Sequence, residues 1–365
     1  MKVVASVDVA NLINTWYVHI KKREVSQAIE LRDRIVKLFD EMEEDQDVLL
    51  YFNLLDYRFR VLMEDIAGKE PSLPPSAEDK AKTDGMLRYY YFLFKGMYES
   101  AKNNYSQALM CFRVAERMLD KVEDEIEKAE FHYKLGNLYY FTKTTLLSFH
   151  HLSIAKSIYQ AYEEYKIQSI NCTVLLALNY IDDGRLMRAE RMLKACADRL
   201  IKMNEYHLLS AVYYDLGFLK IQEDKHTEAI QYFNKSFETN DLKKNAPIMY
   251  LQCIYESARS NYKLGNVDKA LEWVQKGFEF SQETNNINFS LKFSVLNICY
   301  TAPLEGVDQV KEFINRLEAR EAYVDIEALA EDVAYVYIAL KNYKDSTYFL
   351  EKAIKSSKLT GKEVL

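Results

Sequence analysis

Taken as a string of apolar and polar positions, the chain repeats one signature about every forty residues. A small residue is followed twelve positions on by a second small residue, a large apolar residue comes one turn later, and a third small residue closes the set. Gly96, Ala108, Phe112 and Ala115 are the first copy. The set returns at Gly136/Ser148/Leu152/Ala155, Ala177/Ala189/Leu193/Cys196, Gly217/Ala229/Phe233/Ser236 and Ala258/Ala270/Val274/Gly277. A degenerate copy runs through Ile298, Val310, Ile314 and Leu317, and a last one through Ala334, Ser346, Leu350 and Ala353. Two helices that cross closely at the small positions, with a bulky side chain packed beside the crossing, produce this spacing. It predicts an array of about seven tetratricopeptide-type hairpins over residues 80–365, with helices longer than the usual ~34-residue repeat supplies.

The first 66 residues carry a different pattern. Leu12, Ile13, Trp16, Tyr17 and Ile20 fall on one helical face, predicting a helix over residues 6–22 with Ser6 or Asp8 at its start. Ala28, Leu31, Ile35, Leu38, Phe39 and Met42 predict a second over 25–43. The third, over about 45–66, has apolar positions on more than one face, enough for a bundle core and for a partner. Pro71, Pro74 and Pro75 then mark residues 67–79 as a semi-rigid linker. Hence the expected plan is all-α: a three-helix bundle (1–66), a linker or hinge (67–79), and a right-handed superhelix of hairpins (80–365).

Composition supports an all-α chain, since 365 residues hold only 10 Gly and 5 Pro. The 28 tyrosines suit a superhelix, whose wet inner edge can take the hydroxyl while the ring packs. A formal net charge of −7 without a basic stripe argues against direct nucleic-acid binding. Five dispersed cysteines without CxxC spacing read as free thiols of a reducing compartment. The apolar run after Met1 is too short for a signal peptide, and no stretch is long enough to span a membrane. A cytoplasmic location is therefore expected.

The chemistry-bearing motifs are few. Of six histidines only His150 and His151 are adjacent, and neighbours in a helix point apart, so no metal site is expected. Phosphate-cradling glycine loops and nucleophile elbows are absent. Glu43-Glu44-Asp45-Gln46-Asp47 opens the third helix. Acidic residues suit a helix N-terminus on dipole grounds alone, while a glutamine amide placed there can orient an attacking water. In the array, Asn179, Asp182 and Asp215 fall on the first helices of hairpins, where they are either solvated or able to hold an extended peptide backbone.

Four stretches, Ile13–Lys21, Glu43–Tyr51, Tyr89–Glu99 and Ile126–Phe131, together resemble the Rap family of bacterial quorum-sensing regulators. The resemblance runs the length of the chain and keeps the bundle, linker and repeats in order. It implies that the bundle engages a response regulator or transcription regulator and that the repeats bind a short, re-imported signalling peptide, which inhibits. Two outputs are implied. In one, Gln46 positions water at the partner's aspartyl-phosphate; no cofactor is needed, since Mg2+ would come with the partner. In the other the chain is a non-catalytic inhibitor or antirepressor that sequesters a transcription regulator, as in control of transfer of a plasmid or other mobile element. Leu49, Phe52, Leu55, Tyr57 and Phe59 would face the partner or fill the bundle core, and Asp45 would contact the partner. Asn179, Asp182, Tyr214, Asp215 and Phe218 would form the peptide site. Asp215 replaces the usual family asparagine, and a family glutamate is missing around Ser294. An ionised carboxylate only accepts, so the clamp loses a backbone contact worth on the order of 1–2 kcal/mol, unless the peptide carries a Lys or Arg beside Asp182 and Asp215. A homodimer through the last repeats would use Tyr335, Tyr337, Tyr343 and Tyr348.

Overall fold

The computed structural model describes residues 4–66, 85–239 and 242–362. Among them are eighteen α-helices and two short 3-10 turns, with one isolated β-bridge, Val4 to Met42. They divide into two compact units, Met1–Leu175 and Leu176–Leu365. The linker expected at 67–79 lies outside the described residues.

The first unit opens with α1 (Ser6–Lys22), α2 (Val25–Leu38) and α3 (Gln46–Ile66). They close around Trp16, which is fully buried between Phe52, stacked with centroids 5.4 Å apart, and Phe59 at 5.6 Å. α2 stops five residues short of expectation because the chain turns back there. Val4 N–H donates to Glu41 O (2.8 Å), Glu43 N–H donates to Val4 O (3.0 Å), and the Glu43 carboxylate accepts from Ser6 N–H at 2.9 Å. Glu43, rather than Ser6 or Asp8, thus satisfies the start of α1. The unit continues with α4 (Met86–Ala101), α5 (Tyr105–Glu116), α6 (Glu125–Phe141), α7 (Thr145–Gln160) and the first part of α8 (Lys166–Asp182).

The second unit holds the rest of α8 and α9 (Leu186–Met203), α10 (Tyr206–Gln222) and α11 (His226–Thr239). A four-residue α12 (Leu242–Asn245) precedes α13 (Pro247–Lys263), α14 (Val267–Glu283), α15 (Ile287–Thr301), α16 (Val307–Glu318), α17 (Tyr323–Ala339) and α18 (Tyr343–Lys362). The seven expected hairpins are α4–α5, α6–α7, α8–α9, α10–α11, α13–α14, α15–α16 and α17–α18.

The forty-residue signature has a direct steric meaning. A Cβ on Gly136 would come within 2.8 Å of Leu152 Cγ, and one on Gly217 within 2.5 Å of the Phe233 ring. In these copies the bulky residue sits on the glycine sixteen residues back. The turns between paired helices repeat as well: Asn103, Lys143, Gly184, Asp224, Gly265 and Lys341 all adopt the left-handed conformation that stops a first helix. Of the C-terminal tyrosines, Tyr337 is core, while Tyr335 and Tyr343 are exposed. All five cysteines are buried free thiols. Among the described residues no helix is long and apolar enough to cross a membrane.

Candidate functional site

Gln46 begins α3 and its side chain is exposed. Asp45 prepares that start: its Oδ1 accepts from the N–H groups of Asp47 (3.0 Å) and Val48 (3.2 Å). These bonds, with one from Ser6, hold the Asp45 carboxyl below its ordinary range. Gln46 Nε2 reaches Glu44 Oε1 at 3.3 Å, which leaves the amide at the surface.

The structure divides the aromatic-rich face of α3. Phe52, Leu55 and Phe59 are buried and belong to the bundle core, the second of the two places the sequence left open for them. Trp16 needs both rings around it, so neither can turn outward. Leu49 is half-buried and stands with Asp45 and Gln46 at the outer end of α3.

The bundle itself is docked on the first repeats through buried charges. Lys21, with a side chain 4% exposed, places Nζ 2.6 Å from Asp124 Oδ2 and 3.6 Å from Glu127 Oε2. Tyr89 donates to the other Glu127 oxygen at 3.2 Å. Arg58 donates to Glu130 Oε1 (3.3 Å), and Tyr159 donates to Glu130 Oε2 (3.2 Å). Gln168 donates to Lys21 O (3.0 Å), and Tyr17 meets Tyr90 edge to face at 5.5 Å. The two glutamates differ in environment. Lys134 and Arg58 outweigh burial at Glu130 and hold its carboxyl low. At Glu127 burial dominates and pushes the carboxyl up to about 7, against the opposing pull of Lys21. Sequence reasoning missed this cluster. The available signal was two glutamates, at 127 and 130, on the stripe of α6 that also carries Ile126, Ala129 and Phe131.

In the second unit, Asp215, Glu256 and Asp332 occupy one repeat position, two residues before the small residues Gly217, Ala258 and Ala334. Arg259 on α13 donates to Asp332 on α17 at 2.6 Å and to Glu256 at 3.1 Å. That bond joins two first helices, α13 and α17, across the hairpin between them, so this repeat position shares one face of the three hairpins. Glu256 finds its partner three residues on. The residue three beyond Asp215 is Phe218, which cannot pair, and among the described residues Asp215 has no hydrogen bond or ion pair. Burial alone pushes its carboxyl up to about 7. Tyr214 packs against Phe233 with tilted rings, their centroids 5.9 Å apart. Asn179 is buried and Asp182 exposed, three residues before the end of α8 and at its last position. Ser294 turns its hydroxyl onto Ser290 O at 2.9 Å. Of the expected peptide residues, Asp215 is the one whose charge is unmatched.

The second unit is a set of helical hairpins with a carboxylate, Asp215, that has no ion-pair partner among the described residues, and the first unit opens with a bundle that presents a surface glutamine. Residues 3–64 match the family described as response regulator aspartate phosphatase H, N terminal, and residues 210–241 match a tetratricopeptide repeat. Regulatory protein RapD of Bacillus subtilis (strain 168) is 31% identical over 340 residues, covering 93% of this chain and 96% of that protein. The chain belongs to the Rap family. Among solved structures, a Rap protein complexed with Competence and Sporulation Factor is 28% identical with a TM-score of 0.85, covering 98% of this chain and 99% of that one. The Rap conjugation gene regulator of the plasmid pLS20, in complex with the Phr* peptide, is 26% identical with a TM-score of 0.69, covering 99% and 98%.

Proposed function

We propose that this chain binds a response regulator through the outer end of its bundle, hydrolyses the regulator's aspartyl-phosphate, and is inhibited by a short signalling peptide on the inner face of its repeats. The observation that carries the reading is Gln46, exposed at the first position of α3 beside a capped helix start. Hydrolysis of an acyl phosphate needs positioning and charge stabilisation more than covalent chemistry. One amide can do the positioning, with its oxygen accepting from the attacking water and its nitrogen donating to a phosphoryl oxygen. The charge would be met by a Mg2+ held by the partner's own phosphorylation site. Asp45 and Leu49 flank Gln46 and would contact the partner.

The peptide half of the reading rests on Asp215 and Asp182. Asp215 is half-buried and has no ion-pair partner among the described residues, which favours a ligand that brings a cation, so the peptide would carry one Lys or Arg. A second reading, sequestration of a transcription regulator without catalysis, is favoured by the likeness to the pLS20 conjugation regulator. A Gln46→Ala variant separates the two when phosphate loss and binding are followed together on one phosphorylated receiver domain. Loss of hydrolysis with retained binding supports the phosphatase. Unchanged hydrolysis would sink it, and binding with no hydrolysis even by the parent chain would favour sequestration.

A further inference from the structure

A cavity of about 400 Å3 opens on the second unit beside α12, within the size range of small-ligand sites. The connection that carries α12 runs from Thr239 to Pro247, whereas α9 and α10 are joined directly from Met203 to Tyr206. Leu242 of α12 is buried against the repeats and forms one wall. The second helices α11 and α14 and the start of α13 supply the others, through Asn234, Phe237, Tyr250 and Trp273. None of these belongs to the candidate peptide site. Their rings make a floor and a wall. Phe237 and Trp273 lie nearly parallel, at 10° with centroids 5.4 Å apart, and Tyr250 stands on edge to Phe237 at 76° and 5.6 Å. Buried Phe280 meets Tyr250 edge to face at 4.9 Å and braces it.

A cation already sits in this corner. Lys276 Nζ is 4.7 Å from the Trp273 ring centroid, 5.5 Å from that of Tyr250 and 5.6 Å from that of Phe237, each within cation–π reach. Lys276 is exposed and follows Trp273 by one turn of α14, so its stem can carry the ammonium in or out. The corner suits another kind of cation better. A primary ammonium is strongly hydrated and brings three N–H donors that ring faces satisfy poorly. A quaternary ammonium has no N–H and spreads its charge over methyl groups that pack on the rings. Among the other charged residues of the wall, Lys243 rests on Phe280 at 5.0 Å and pairs with Glu283 at 3.2 Å, while Glu238 is an acid.

We propose that this corner binds a quaternary ammonium group of the choline class, with Lys276 as its internal competitor. The ligand's trimethylammonium takes the place of the Lys276 ammonium on Trp273, Phe237 and Tyr250, and Lys276 swings into solvent. One cation replaces another on the rings, so the exchange calls for no spare charge on the wall.

The test uses the full chain and choline chloride, followed by saturation transfer to the choline methyl protons. The comparator is 3,3-dimethyl-1-butanol, which has the same shape without the charge. Saturable choline binding is expected, at least tenfold tighter than that of the alcohol. Trp273→Leu should weaken it at least tenfold. Lys276→Gln should strengthen it about threefold, because it frees rings that an exposed ammonium occupies most of the time. That gain should persist in molar salt, where a charge acting at a distance is screened. Phosphatidylcholine vesicles separate the two sources of the group: a chain that binds choline and stays off vesicles takes a soluble molecule, and one retained on vesicles until choline is added takes a lipid headgroup. No saturable choline binding, equal affinity for the alcohol, unchanged affinity in Trp273→Leu, or no gain in Lys276→Gln would overturn the proposal. Lys276 is exposed, so its variant keeps the proposal falsifiable should Trp273→Leu fail to fold.

Discussion

If Asp215 receives a peptide cation, binding must be linked to proton release. Its carboxyl titrates at about 7 in the unliganded chain because burial is uncompensated, and a cation beside it would return it towards the ordinary ~4. Below pH 7 the neutral form must first lose its proton, at about 1.4 kcal/mol per pH unit. With free and bound values of about 7 and 4, linkage gives an affinity about tenfold higher at pH 8 than at pH 6, with about half a proton released per peptide at pH 7. Calorimetry in two buffers of different ionisation enthalpy reads both quantities. The peptide is an arginine-containing binder selected from a short-peptide library, compared with its citrulline analogue. Asp215→Asn should remove the slope, and the citrulline analogue should not gain affinity with rising pH. Equal affinity of the arginine peptide at pH 6 and 8, or the same slope in Asp215→Asn, would refute the reasoning.

The dock should respond to pH in the opposite sense. Glu127 titrates at about 7 when buried and near its usual ~4.5 once the bundle lifts and water returns. Docking is therefore fully favoured below the lower value and weakens as pH rises through 7; energy transfer between bundle and repeats should fall from pH 6 to 8, and stay flat in Glu127→Gln. Arg58→Ala leaves Glu130 buried without one of its bases, a loss on the order of 3–5 kcal/mol that should appear in denaturant melts as early release of the bundle. Gly217→Ala drives a Cβ to 2.5 Å from Phe233 and should cost roughly 1–3 kcal/mol in the same assay, whereas a substitution at exposed Leu146 should cost almost nothing.

The repeats were legible because their packing rule is local and recurs. Each small residue has its bulky partner sixteen positions on, as Gly217 has Phe233, so the contact is written into a fixed spacing. The bundle helices were legible too, apart from the end of α2, which is set by pairing with Val4, forty residues away in sequence. Whether Phe52 and Phe59 faced a partner or the core could not be read, because both choices suit an apolar helix face; Trp16 decides it. The dock was hidden for a different reason. Lys21 meets Asp124 across 103 residues, and no periodicity relates them. Asp215 stood out as a departure from a family pattern, and the structure adds why it matters: Phe218 stands where its sister position carries Arg259.

The central claim is that a peptide on the inner face of the second unit governs what the bundle holds. It is tested most directly by the affinity of the full chain for its response regulator, measured by titration with and without saturating arginine peptide. The account predicts at least a tenfold loss of regulator affinity in the presence of peptide, and by reciprocity the same loss of peptide affinity in the presence of regulator. Equal regulator affinity with and without bound peptide would contradict it.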